Sequence, residues 1–172
     1  LALQRAQRGD GDGPRVEDRE VRARYKRARP HAEAALESGR FDARAGRVLG
    51  KIYWELGRPI DTVDAWRTAR AADPESISDE EYLYALRTAL NRATLHKDFA
   101  RSLDLRAELA GLLERKPEVL AGEPESVQQN LREATSPAAF RRNREDYAEG
   151  LVAEKRLEEA VEVYTQLADE HP

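Results

Sequence analysis

Leu49–Pro74, LGKIYWELGRPIDTVDAWRTARAADP, decides the fold. It reads as two amphipathic helices joined by a tight turn at Gly57-Arg58-Pro59. Gly46, Leu49, Gly50 and Tyr53 recur at i, i+3, i+4 and i+7, which is one face of a helix. Val63, Trp66, Ala69 and Arg70, at i, i+3, i+6 and i+7, likewise share one side of the second helix. Gly50 stands mid-helix, where glycine costs about 1 kcal/mol against alanine, so its presence predicts a close backbone approach. Gly57 supplies the left-handed residue that ends a helix. Pro59 opens the next helix, where its missing N–H costs little, and Asp73-Pro74 stops it.

Working outward, the same spacing returns near the C-terminus. Tyr147-Ala148, Leu151, Ala160, Tyr164 and Pro172 are spaced as their counterparts in the first stretch. Tyr53 to Thr62 equals Leu151 to Ala160, and Trp66 to Pro74 equals Tyr164 to Pro172. The stretch over 43–74 resembles a tetratricopeptide repeat. That family's marks are an aromatic, Leu-Gly, Tyr, a small residue, an aromatic, Ala and Pro at fixed offsets. Leu49-Gly50, Tyr53, Trp66, Ala69 and Pro74 match them, while Gly46 stands for the leading aromatic and Thr62 for the usual Ala. A second match covers 141–172, with Arg144 in place of the leading aromatic and Leu167 in place of the small residue before Pro. The two lie 98 residues apart (160 − 62), nearly three repeats of about 34. The resemblance implies an all-α, right-handed solenoid of stacked antiparallel helix pairs, with degenerate repeats between the two matches.

Composition agrees with a helical array. Of 172 residues, 36% are charged and 6% aromatic, and Ala, Leu, Arg and Glu dominate, all good helix formers. Cysteine is absent, which excludes disulfides and thiolate chemistry in these residues. Methionine is absent too, so an excised or processed segment is expected. No apolar run reaches the length of a membrane span, and no signal peptide is visible. The net charge of −4 hides a gradient. Residues 1–29 carry nine basic and five acidic side chains (+4), and residues 144–172 carry three and nine (−6).

Residues 1–14 read as a flexible N-terminal segment and 15–172 as one helical repeat domain. Arg8–Pro14, with three glycines, is a breaker; its aspartates lack the closing Glu of a calcium loop. Val16–Arg29 reads as a basic helix, followed after Pro30 by a second helix, His31–Ser38, capped by Gly39. Arg19, Arg22, Arg24, Lys26, Arg27 and Arg29 offer a phosphate- or anion-binding patch, but interleaved Glu17, Asp18 and Glu20 favour a solvated face, and nucleic acid is not the expected partner. Asp42 is placed to cap helix 43–56. Ser78 and Glu81 form a capping box ahead of Asp79–Leu95. Asp98 caps Phe99–Arg115, and Lys116–Pro124 reads as a break. Glu125–Ala134 is a short helix, and Ser136-Pro137 start another that runs to about Glu154. No polar capping helix follows Pro172, although solenoids usually need one, which leaves self-association through the last repeat as an expectation.

No catalytic constellation is legible. His31, His96 and His171 have no metal-ligand spacing, and no phosphate-loop or dinucleotide motif occurs. Neither metal nor cofactor is expected, and the chain reads as non-catalytic. The resemblance implies a concave groove lined by the first helix of each pair. If Gly46, Leu49, Gly50 and Tyr53 pack, the adjacent stripe of Arg44, Arg47, Lys51 and Trp54 faces that groove. Three cations beside a Trp suit an acidic or aromatic peptide. The stripe in the last repeat is Arg142, Glu145, Glu149 and Val152, so the groove passes from basic to acidic. Lys51 stands where the resembled carboxylate-clamp repeats hold Asn, so no clamp is assigned. The reading is a protein- or peptide-binding scaffold that assembles a complex. Alternatives are a self-associating structural segment, of a bacterial envelope or secretion component for instance, and weak nucleic-acid or anion binding by the basic helix 16–29.

Overall fold

The computed structural model describes residues 16–37 and 43–169, and every regular element among them is a helix. In chain order these are α1 (Val16–Glu37), α2 (Ala43–Glu55), α3 (Pro59–Ala72), α4 (Asp79–Leu95) and α5 (Phe99–Arg115). Then follow α6 (Pro117–Ala121), α7 (Glu125–Ala134), α8 (Pro137–Ala153) and α9 (Leu157–Asp169). Each of the first five helices packs on the next. α5 then meets α8 across the short α6 and α7, and α8 packs on α9.

The helices α2–α3, α4–α5 and α8–α9 form three hairpins with one turn geometry. Gly57, Lys97 and Lys155 have φ of 72°, 57° and 63°. The next amide reaches back five residues in each case: Arg58 N–H to the Tyr53 carbonyl at 2.9 Å, Asp98 to Ala93 at 2.9 Å, and Arg156 to Leu151 at 2.9 Å. A left-handed residue lets the chain reverse while these orphan carbonyls stay bonded. Five residues past each left-handed position sits a small residue, Thr62, Ser102 or Ala160, at most 2% exposed. The two helices of each hairpin approach closely there, and a larger side chain would hold them apart.

In the first hairpin the approach is closest at Gly50. A Cβ there would lie 2.2 Å from the Trp66 ring. The Trp66 indole N–H donates to the Arg47 carbonyl at 3.2 Å, and the Thr62 hydroxyl donates to the Gly50 carbonyl at 3.3 Å. At the glycine expected to permit a backbone approach it is a side chain that comes close, the Trp66 ring lying on its bare face.

A continuous core runs from α3 to α7. Val63, Leu83, Leu86, Leu105, Leu109 and Leu131 are among its fully buried members. Each such side chain stabilises by about 1.5–3 kcal/mol. Contacts also skip one helix: Trp54 of α2 leans on Tyr84 of α4, ring centroids 5.3 Å apart. Arg67 of α3 donates to Glu108 of α5 at 2.9 Å, and Arg101 of α5 pairs with Asp64 of α3. Glu108 also accepts the Tyr82 hydroxyl, and burial first, then that bond, pushes the Tyr82 phenol well above its ordinary range. The guanidinium of Arg67 is held charged by Glu108. This network ties α3, α4 and α5 into one layer.

The caps fall as the sequence reads: Ser78 accepts from the Glu81 amide, Asp98 from Arg101 and Ser136 from Ala139, each at 3.2 Å. Two expectations are corrected. Pro30 does not divide two helices but lies inside α1. Proline removes one intrahelical bond and crowds the carbonyl four residues back. Packing on α2 outweighs this: Glu33, beyond the proline, accepts the Tyr53 hydroxyl at 2.7 Å and pairs with Arg29 at 3.4 Å. Lys116–Pro124 is not simply a break but contains α6, which Pro117 opens and Val119, 6% exposed, anchors in the core. The segment 1–14, the Asp42 and Gly39 caps, His171 and the closing Pro172 lie outside the described residues.

Candidate functional site

Arg44, Arg47 and Lys51 stand exposed along α2, and none forms an ion pair among the described residues. Trp54 continues their stripe but is half-buried, with its ring against Tyr84. The stripe therefore turns toward α4. Tyr53, expected on the packing stripe, is only half-buried. Its hydroxyl is raised to about 12, first by burial and then by its bond to Glu33. Ile52, 4% exposed, takes the deeper place.

The shared turns set a register for α4 that the sequence alone did not disclose. Tyr84, Arg87 and Asn91 precede Lys97 by 13, 10 and 6 residues, as Arg44, Arg47 and Lys51 precede Gly57. They thus belong to the corresponding stripe of the second hairpin. Arg87 lies over the Tyr84 ring, 5.1 Å from its centroid, and pairs with Glu123 at 3.5 Å. What hid them is that Lys97 is not a glycine and that α4 and α5 lack the Leu-Gly mark. Arg142, Glu145 and Glu149 hold the same offsets from Lys155 in α8. Arg142 and Glu149 are exposed, and Glu145 accepts from Arg141 at 2.9 Å. The structure does not bring Glu145 and Glu149 to the cations of α2: α8 packs on α5, α7 and α9.

Between the C-terminal halves of α2 and α4 lies a cavity of about 360 Å³, lined by Trp54, Gly57, Pro59, Thr88, Asn91, Arg92 and Leu95. Arg58 at its turn is committed elsewhere: it grips both Asp61 oxygens at 2.8 Å and covers the Tyr53 ring at 4.9 Å. A smaller space of about 200 Å³ sits between α2 and α3, beside Leu49, Asp61 and Thr68. Among the described residues no three His, Asp or Glu side chains group closely enough to hold a metal ion. No described helix is long and apolar enough to cross a membrane. The α2–α4 face offers charge, a cation–π contact and an apolar cavity.

No family model, curated protein or solved structure matches the chain. What the geometry defines is a class: a protein whose described residues are all-helical, with three helical hairpins and a cationic and aromatic face between the first two.

Proposed function

We propose that the chain is a non-catalytic, tetratricopeptide-like solenoid that binds a protein or peptide along the α2–α4 face and so scaffolds an assembly. The observation that carries this reading is the exposed row of Arg44, Arg47 and Lys51, without an ion pair among the described residues, leading into the Trp54 cavity. Three hairpins with one turn and one buried small residue each support the repeat arrangement, because recurrent units must stack to bury their faces. Mutating the row tests it. Against an arrayed peptide library, the full chain recovers a specific set of peptides, and Arg47→Glu with Lys51→Glu abolishes recovery of most of them. An identical set from the double variant refutes the reading.

A second reading, self-association, draws on α9. Leu157, Val161 and Tyr164 form a stripe at i, i+4 and i+7 that is 59%, 63% and 43% exposed. Sedimentation across a concentration series that finds only monomer removes it.

A further inference from the structure

The charge row alone does not account for the cavity at its end. Leu95 is 75% exposed, yet with Trp54 and Pro59 it gives that cavity apolar walls. A volume of about 360 Å³ lies at the small end of ligand sites, typically ~300–1,000 Å³, which suits one or two large apolar side chains.

Polarity along the groove follows from the charges around it. Lys51, Arg47 and Arg44 climb α2 from Trp54 roughly one turn apart, at about 5.4 Å per turn. Alternate residues of an extended peptide advance about 6.6 Å, close enough for each to meet one flexible cation. Arg92 adds a cation on the cavity wall. The nearby acids are Glu55, Asp61 held by Arg58, Asp98 capping α5, and Glu123 held by Arg87. The acids of α4 itself, Asp79, Glu80 and Glu81, lie in its first turn, about 15 Å or more from Asn91. The cavity, by contrast, adjoins the C-terminal ends of α2 and α4, where helix carbonyls carry partial negative charge. Carboxylates are therefore drawn up the row and an apolar group to its end.

Resting on the peptide-binding reading, we infer that the α2–α4 groove takes an extended acidic peptide, with a large apolar side chain in the Trp54–Leu95 cavity and alternate carboxylates on Lys51 and Arg47. The test uses the full chain and fluorescence anisotropy with a labelled Phe-Ser-Glu-Ser-Glu-Ser peptide, its reversed sequence, and both with Phe replaced by Ser. One of the Phe peptides binds, and its Ser counterpart is weaker by about tenfold or more. Leu95→Gln, at an exposed position where folding is checked by circular dichroism, weakens the Phe peptide and closes most of the gap to its Ser counterpart. Lys51→Glu weakens both, and raised salt reduces that difference. Equal binding of Phe and Ser peptides overturns the anchor while leaving a Lys51-dependent groove intact. Absence of binding by all four at about 1 mM overturns the inference, and the arrayed library then decides the groove reading by itself.

Discussion

The first hairpin and the last share their turn and differ in what covers them. Gly57 and Lys155 occupy the same left-handed position, and Thr62 and Ala160 are the same buried contact. Beyond that the second helices part ways. Val63 on α3 is fully buried, sealed into the core that α4 continues. Its counterpart Val161 on α9, 98 residues on, is 63% exposed, and Tyr164, where Trp66 stands in the first hairpin, is 43% exposed. Hairpin geometry is thus a local property of turn and small residue, whereas burial of the outer face belongs to the neighbour. The interior contact differs too. Trp66 lies on a bare Gly50, while the matching position on α8, Ala148, carries a methyl and is fully buried.

The sharpest way to break the comparison is at the glycines. Gly50→Ala forces a Cβ into the Trp66 ring and destabilises by about 2–3 kcal/mol in urea denaturation, the cost of overpacking a tight contact. Gly150→Ala on α8 meets Phe99 only at an ordinary 3.6 Å, and stabilises by about 0.5–1 kcal/mol through helix propensity. Equal effects at the two sites would refute the close approach.

Next come the two valines. Val63→Ala leaves a cavity in the core and costs about 1–2 kcal/mol in urea denaturation, while Val161→Ala costs no more than about 0.5 kcal/mol. A large loss at Val161 would mean that its face is covered in solution, and concentration dependence of the midpoint would identify a second copy as the cover.

The turns give the smallest effect. Lys97→Gly and Lys155→Gly each relieve a left-handed non-glycine residue and raise stability by up to about 1 kcal/mol, while Gly57→Ala loses about as much. Thermal melts of the three variants show whether one turn conformation is in fact used three times.

Much of the helix layout was legible. The boundaries of α4, α5 and α7 followed from caps and periodicity because Ser78, Asp98 and the proline before Glu125 are local signals. Pro30 misled for the same reason: its local cost is real, but Glu33 and Tyr53, 20 residues apart, decide that α1 continues. The site was half legible. Arg44, Arg47 and Lys51 could be read as one stripe of a helix. Tyr84, Arg87, Asn91 and Leu95 could not be joined to them, since nothing in the sequence states which face of α4 lies beside Trp54.

The sequence by itself determined the all-helical class, the first hairpin with its Gly50 contact, the echo 98 residues on, and the cationic row on α2. Each rests on spacing within about a dozen residues, where helix periodicity and turn chemistry act without outside help. Tertiary structure decided the rest. It set the continuity of α1 through Pro30, the hidden equivalence of Lys97 to Gly57, the cavity between α2 and α4, and the exposure of Val161 against the burial of Val63. Those depend on which helix lies against which, and packing between distant segments is set by the sum of many apolar contacts rather than by any motif.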